Sequence, residues 1–288
     1  MDEKALFNEL KDESLFNKAF VYAIYDRINN DDFCNFFEIH FYRERSKELH
    51  KKITDILNDI TDFKHSVCFA YYRPKDNLCF RRCVYIPFKE LVIRYMILIS
   101  IIEKTEYALS KQCFSYRIAS QRYSDKNLFE PYIHLWNLFA KWQEETSQNH
   151  DFKVLVKTDI SSFYDTVSHE HLVYLITQEL DIKQDCDFIR LLRRILNFRV
   201  ISYSFIDNSL FESDFLQGLV IGNNIDGYLA NIYLKDMDEA LEKVNVEFGR
   251  YVDDIKIFAK TEQEASRDTQ CIQECLRIKG CQLKVANA

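Results

Sequence analysis

Two adjacent carboxylates, Asp253 and Asp254, stand between alternating apolar runs, with Phe248-Gly249-Arg250-Tyr251-Val252 before them and Ile255-Lys256-Ile257-Phe258 after. The alternation predicts strand, two-residue turn, strand, with both carboxylates at the tip of a hairpin. Negative charge concentrated at a tip needs a cation, and hard carboxylate oxygens suit a divalent one. A third acid, Asp159, ends the apolar run that starts at Val154. Asp-Asp also occurs in ordinary tight turns, where the side chains bond their own backbone. Val246, Ile255 and Ile257 favour the cation reading, because an apolar frame buries both strands and leaves the carboxylates little freedom to turn away.

Between residues 73 and 94 the basic side chains Arg73, Lys75, Arg81, Arg82, Lys89 and Arg94 face only Asp76 and Glu90. Taken alone, such a run reads as a solvated face. Gln217-Gly218-Leu219-Val220-Ile221-Gly222-Asn223-Asn224 holds two of the five glycines. Such a loop either lets a ligand approach the backbone or simply turns into a helix. His169 and His171 flank Glu170, and an i,i+2 pair on a helix shares no face, so they read as surface or capping residues, not as metal ligands. His134 reads as a packed or surface residue.

The elements that must position these groups follow from periodicity. Residues 1–64 are helical in pattern, with Leu6, Leu10, Phe16, Phe20, Leu49, Ile53, Leu57 and Ile60 among the apolar positions. Residues 67–72 and 78–86 read as strands joined by a turn, so the basic run lies on a hairpin. A buried helix follows over 89–107, then an extended segment at 113–118, then a helix from Pro131 through Trp142. Strand 154–160 turns at 161–165 into a helix beginning near Ser168. Helices at 170–180 and 185–197, a strand at 200–206, a helix at 225–244, the acid hairpin and a helix at 262–278 complete the chain.

With 288 residues, 47% of them apolar, the chain can bury a sizeable core. Only five Gly and three Pro leave no clear linker, and the 15% aromatic content favours long helices and buried strands. The nine Cys are scattered without zinc-ligand spacing; Cys79/Cys83 and Cys271/Cys275 lie four apart, which on helices is packing geometry, so reduced cytosolic thiols are expected. The charged N-terminus carries no export signal, and the most apolar run, 91–102, is too short to span a membrane and contains Arg94. A soluble, cytoplasmic protein with no membrane partner is expected. A net charge of −7 argues against non-specific coating of nucleic acid.

In this order, an acid closing a buried strand (Asp159, with Phe163 and Tyr164 downstream), a Gln-Gly loop (Gln217, Gly218) and a Tyr-Val-Asp-Asp hairpin (251–254) resemble the palm motifs of reverse transcriptases. Ser115-Tyr116-Arg117 is similar to a segment of retron and group II intron enzymes. The wording of 250–258 and the helical N-terminus look most like bacterial abortive-infection and other defence-associated reverse transcriptases. The resemblance covers about residue 67 to the C-terminus, with two departures. Leu216 replaces the usual Pro, and the late palm lysine falls near Asn287, leaving Lys284 as a substitute.

The resemblance implies an α+β fold of right-hand polymerase fingers and palm, with a ferredoxin-like palm sheet carrying helices on one face and no evident thumb. Its expected division is a helical extension over 1–66, fingers over 67–150 and a palm over 151–288 with a fingers-like insertion at about 181–215. The implied chemistry is RNA-directed or template-independent DNA synthesis, with two Mg²⁺ ions, or Mn²⁺, held by Asp159, the Ile160 carbonyl, Asp253 and Asp254. Lys75, Arg81 and Arg82 are expected to hold the triphosphate and Tyr164 to abut the sugar. Gln217 and Gly218 are expected to meet nucleotide and template backbone. Expected partners are an RNA template or structured RNA, the DNA product, deoxynucleoside triphosphates, and further copies of the chain or a second protein. An RNA-synthesising palm polymerase and an inactive palm scaffold that binds RNA or protein are the alternatives.

Overall fold

The computed structural model describes residues 2–29, 34–63, 66–75, 79–119, 127–203, 209–213 and 218–285. The N-terminal periodicity forms four helices, α1 (Glu3–Glu9), α2 (Glu13–Asn29), α3 (Phe36–Glu44) and α4 (Ser46–Asn58). Asp2 and Asn35 start α1 and α3 by accepting backbone N–H bonds from Lys4 and Glu38, which satisfies donors a helix start leaves open. On α4, Leu49, Ile53 and Leu57 recur every four residues and are buried. Strands β1 (Cys68–Pro74) and β2 (Phe80–Tyr85) form an antiparallel hairpin, and α5 (Phe88–Tyr107) follows. Leu91, Tyr95 and Leu98 of α5 share one core cluster with Phe16, Ala19 and Ala23 of α2. Helix α6 (Tyr132–Ser147) has Pro131 as its cap residue.

The acid-bearing half begins with β3 (Val154–Ser161) and continues through α7 (Phe163–Thr166), α8 (His169–Leu180) and α9 (Asp187–Leu196). Ser168 caps α8 by accepting from the His171 N–H. Next come β4 (Val200–Tyr203), β5 (Leu210–Ser213), α10 (Asn224–Lys243), β6 (Glu247–Tyr251), β7 (Asp254–Ala259), α11 (Glu262–Ile278) and β8 (Gln282–Val285).

Two four-stranded sheets result, in the orders β2-β1-β4-β5 and β6-β7-β3-β8. In the first, β4 runs parallel to β1, with Cys68 opposite Val200, so a segment about 130 residues downstream completes the sheet of the basic hairpin. The second sheet is antiparallel throughout its named pairs. Its Phe248, Ile255 and Ile257 face the core that α10 and α11 share. Period-two alternation sends Gly249, Lys256 and Asp254 to the other face, where α6 lies against β6. There Gly249 leaves no room for a side chain: a Cβ would stand 2.4 Å from the Trp142 ring. The fold is α+β.

None of the nine cysteines stands in a disulfide. Cys271 and Cys275 lie on α11, whereas Cys79 and Cys83 lie at the β1–β2 hairpin, so helical spacing does not describe that pair. Among the described residues, no helix is long and apolar enough to cross a membrane.

Candidate active site

The carboxylates meet where two strand ends converge. Thr158 of β3 pairs with Ile255 of β7, which brings the next residue, Asp159, beside the hairpin tip; on its other side Asp159 pairs with Lys284 of β8. The turn residues are Val252 and Asp253, and Tyr251 pairs with Asp254 as the last rung of the ladder. The expectation of both carboxylates in the turn is thereby corrected: Asp253 occupies it and Asp254 opens the strand, because the apolar alternation sets the register one residue earlier. Asp253 shares a hydrogen bond with Asp159. Burial, then the Asp159 charge, push the Asp253 carboxyl up to about 6, with Asp254 adding to the effect. Burial also raises Asp254, opposed by Lys256, whose Nζ stands 3.9 Å from Oδ2.

A buried polar network fixes the tip. Val252 has φ +58°, an outlying value for a β-branched residue. Both its backbone groups are held: its N–H donates to Ser115 Oγ at 2.9 Å and its carbonyl accepts from Arg250 Nη1 at 3.0 Å. Arg250 also grips Asp238 of α10 in two bonds of 2.9 and 2.5 Å and donates to Asn231 Oδ1 at 3.0 Å. Asn231 Nδ2 returns to the Ser115 carbonyl at 2.6 Å. Arg250 and Asp238 are wholly buried, so every charge in the network is matched inside the protein. Strain of order 1–3 kcal/mol at such a residue persists only where its surroundings over-determine it, and here they do.

Tyr164 is set by contacts from distant segments. Gly218 (φ +78°) presses so closely that a Cβ there would lie 2.0 Å from the Tyr164 carbonyl, which accepts from the Leu219 N–H at 2.7 Å. His169 Nε2 donates to the Gly218 carbonyl at 2.6 Å. His169 is thus a tie for the glycine loop, not a surface or capping residue. His171 likewise accepts from Lys279 Nζ at 2.8 Å, because the first turn of α8, which carries both histidines, packs against later segments. Tyr164 shares a hydrogen bond with Tyr116, and burial raises both phenols. Tyr116, at φ +47°, lies on Gly227, where a Cβ would stand 2.2 Å from its ring. Gln217 and Leu216, and the Asn287 position of the late lysine, lie outside the described residues.

Asp159, Asp253, Asp254, Tyr116 and Tyr164 line one cleft of 1330 Å³. Arg73, Lys75, Arg81 and Arg82 of the β1–β2 hairpin line it too. Arg73 stands directly opposite Arg81 on the ladder, which gathers positive charge on this hairpin. Arg82 Nη2 donates to Ser202 Oγ at 3.4 Å, which ties it to β4. The basic run is smaller than its sequence suggests: Arg94 is buried in an ion pair with Asp226, and Lys89 pairs with Glu90 at 3.3 Å. Residues of α2 also line the cleft, and Asp26 accepts from Asn224 Nδ2 at 2.9 Å. The helical periodicity of 13–29 carries no sign of this role.

Among the described residues, no three His, Cys, Asp or Glu groups stand close enough to hold a metal. Asp159, which is exposed, and the half-buried Asp253 do form a hydrogen-bonded pair of acid groups. Few protein ligands and room for water in a large cleft fit a hard ion such as Mg²⁺. Ile160 lines the cleft while its side chain lies in the core.

Residues 97–286 match the family described as reverse transcriptase (RNA-dependent DNA polymerase). Over 93 residues the chain is 29% identical to an uncharacterized 91 kDa protein in the cob intron of Schizosaccharomyces pombe, a match covering 32% of this chain and 10% of that one. Among solved structures, apo telomerase from Candida tropicalis, truncated from its C-terminal domain, is 11% identical with a TM-score of 0.49, covering 83% of this chain and 56% of its own. Telomerase from Candida albicans with a fragment of telomeric RNA is 13% identical with a TM-score of 0.49, covering 86% and 47%. The matches thus span about a tenth of the fission-yeast protein and about half of each telomerase chain.

Proposed function

The chain belongs to the reverse transcriptase family, and we propose that it transfers deoxynucleotides to a 3′ hydroxyl on a nucleic-acid, RNA or protein primer. The observation that carries this reading is the Asp159–Asp253 pair in a cleft that Arg73, Lys75, Arg81 and Arg82 also line. A triphosphate needs cations on both sides: a metal on the acids and guanidinium or ammonium groups beyond it. In this reading Asp159 and Asp253 hold two Mg²⁺, or Mn²⁺, with the Ile160 carbonyl as a further oxygen. Asp254 supports the site through Lys256. Such ions, when bound, supply charge neutralisation at the transferred phosphoryl group.

Lys75, Arg81 and Arg82 then clamp the phosphates, and the Tyr164 ring fills the volume a 2′-hydroxyl needs. Gly218 and the Gln217 that precedes it in sequence meet the nucleotide and template backbone in this reading. The first sheet serves as fingers and the second as palm, with α1–α4 as the N-terminal layer. RNA is the proposed template or bound partner. The wording of 250–258 supports a role in bacterial anti-phage defence, in the cytoplasm, and exposed Phe36, Phe37 and Phe41 on α3 support association with further copies or a second chain.

Incubating the purified chain with Mg²⁺ and each labelled nucleotide, with and without co-purified RNA, tests the reading. Incorporation of deoxynucleotides is expected. Incorporation of ribonucleotides alone would point to an RNA-synthesising palm, and no incorporation under any condition to a scaffold.

A further inference from the structure

Helix α6 begins with an open aromatic face beside the acid hairpin. Tyr132 is 68% exposed and Trp136 45%, and i,i+4 spacing puts them on one side of the helix. Both line the same cleft as the acids. The shelf is braced from beneath: the Trp136 ring meets Tyr251 edge-on at 5.0 Å, and the Tyr251 hydroxyl donates to the Tyr132 carbonyl at 3.3 Å. An indole and a phenol held open on a fixed support cost more to expose than a polar surface would, and such patches mark binding sites.

Both signs of charge stand near the shelf: Glu130 precedes the helix and lines the cleft with Asp159, Asp253 and Asp254, and lysines lie on the neighbouring strands. Residues 131–140 contain no acidic side chain, and no acid stands in the first turn of α6. Lys157 and Lys256 face each other across β3 and β7, on the sheet face that carries Asp159 and Asp254. Lys256 Nζ is held by Gln143 at 2.6 Å and lies 5.8 Å from the Trp136 ring centre. Asp254 at 3.9 Å already matches Lys256, which leaves the exposed Lys157 for an outside anion, and flat open rings call for flat partners. A single strand of nucleic acid offers both at once, a phosphate for Lys157 and bases for the rings.

Resting on the polymerase reading above, we infer that Tyr132 and Trp136 form a stacking shelf for the unpaired end of a nucleic-acid strand, with the exposed Lys157 taking a phosphate. The shelf places that end next to Asp253 without reading its sequence, because every base has a π-face.

The test is binding of a labelled oligothymidylate of roughly 12 nucleotides, followed by anisotropy in EDTA without nucleotide. Tyr132→Leu with Trp136→Leu keeps apolar bulk and removes the rings; it is expected to weaken single-strand binding at least about tenfold while duplex binding and the salt slope hold, since stacking releases no counterions. Trp136→Phe is expected to stay within about threefold of the parent, and the oligonucleotide is expected to quench the parent's tryptophan emission. A folded double-Leu variant that binds like the parent overturns the inference, as does equal loss of duplex and single strand. A parent that neither binds nor quenches also overturns it, and would turn the shelf toward a protein partner. The two readings fail separately: quenching without any nucleotide incorporation sinks the polymerase and spares the shelf, whereas full single-strand affinity in an active double-Leu variant does the reverse.

Discussion

Tyr164 is held at its backbone and at its hydroxyl. Its carbonyl is bonded by the Leu219 N–H under Gly218, and its hydroxyl meets Tyr116, whose own ring has Gly227 behind it. A ring so pinned cannot swing aside for a larger sugar, so trimming it opens volume without moving the wall. Tyr164→Val is expected to shift the ratio of kcat/KM for deoxynucleotide over ribonucleotide by about tenfold or more toward ribonucleotide, equivalent to about 1.4 kcal/mol. An unchanged ratio would make Tyr164 a packing residue. The positions of Asp159 and Asp253 were legible because each sits near a strand end or turn that periodicity locates, whereas Tyr164, in the short helix α7, was singled out by the family motif alone. The role of Asn231 was not legible, since a polar residue whose partner, Ser115, is folded in from 116 positions away looks like any other polar position on a helix.

At the scale of elements, the hairpin is aimed by the tie between β6 and α10. Arg250→Met leaves Asp238 charged and buried without its partner, which costs about 3–5 kcal/mol and should lower Tm accordingly. Arg250→Met with Asp238→Leu removes both charges and should recover most of that stability. Incorporation should nevertheless stay low, because the Val252 carbonyl and Asn231 still lose their donor. Recovery of both Tm and activity in the double variant would reduce the pair to a stability element. The acid hairpin and the helix over 262–278 were readable from period two and period 3.6. The parallel pairing of β1 with β4 was not, as it has no connecting turn to announce it.

Across the whole molecule, the N-terminal helices are less separable than an extension. Leu6, Phe16 and Ile53 share one core cluster with Leu91 of α5, Ile176 of α8 and Phe248 of β6, and α2 adds residues to the cleft. A chain beginning at Ser66 would expose the face of α5 that α2 covers, and is expected to lose its cooperative melt and aggregate. A soluble, cooperatively melting product would show the helices to be dispensable. The central claim is that Asp159 and Asp253 face one another in order to hold metal for nucleotide transfer. Asp253→Asn is nearly isosteric and removes a buried like charge, so the folded state should melt at or above the parent's temperature. Its rate of deoxynucleotide incorporation with Mg²⁺, measured beside the parent's, tests the claim most directly. Loss of about a thousandfold or more, several kcal/mol of transition-state stabilisation, is the predicted result, and a rate near the parent's would contradict it.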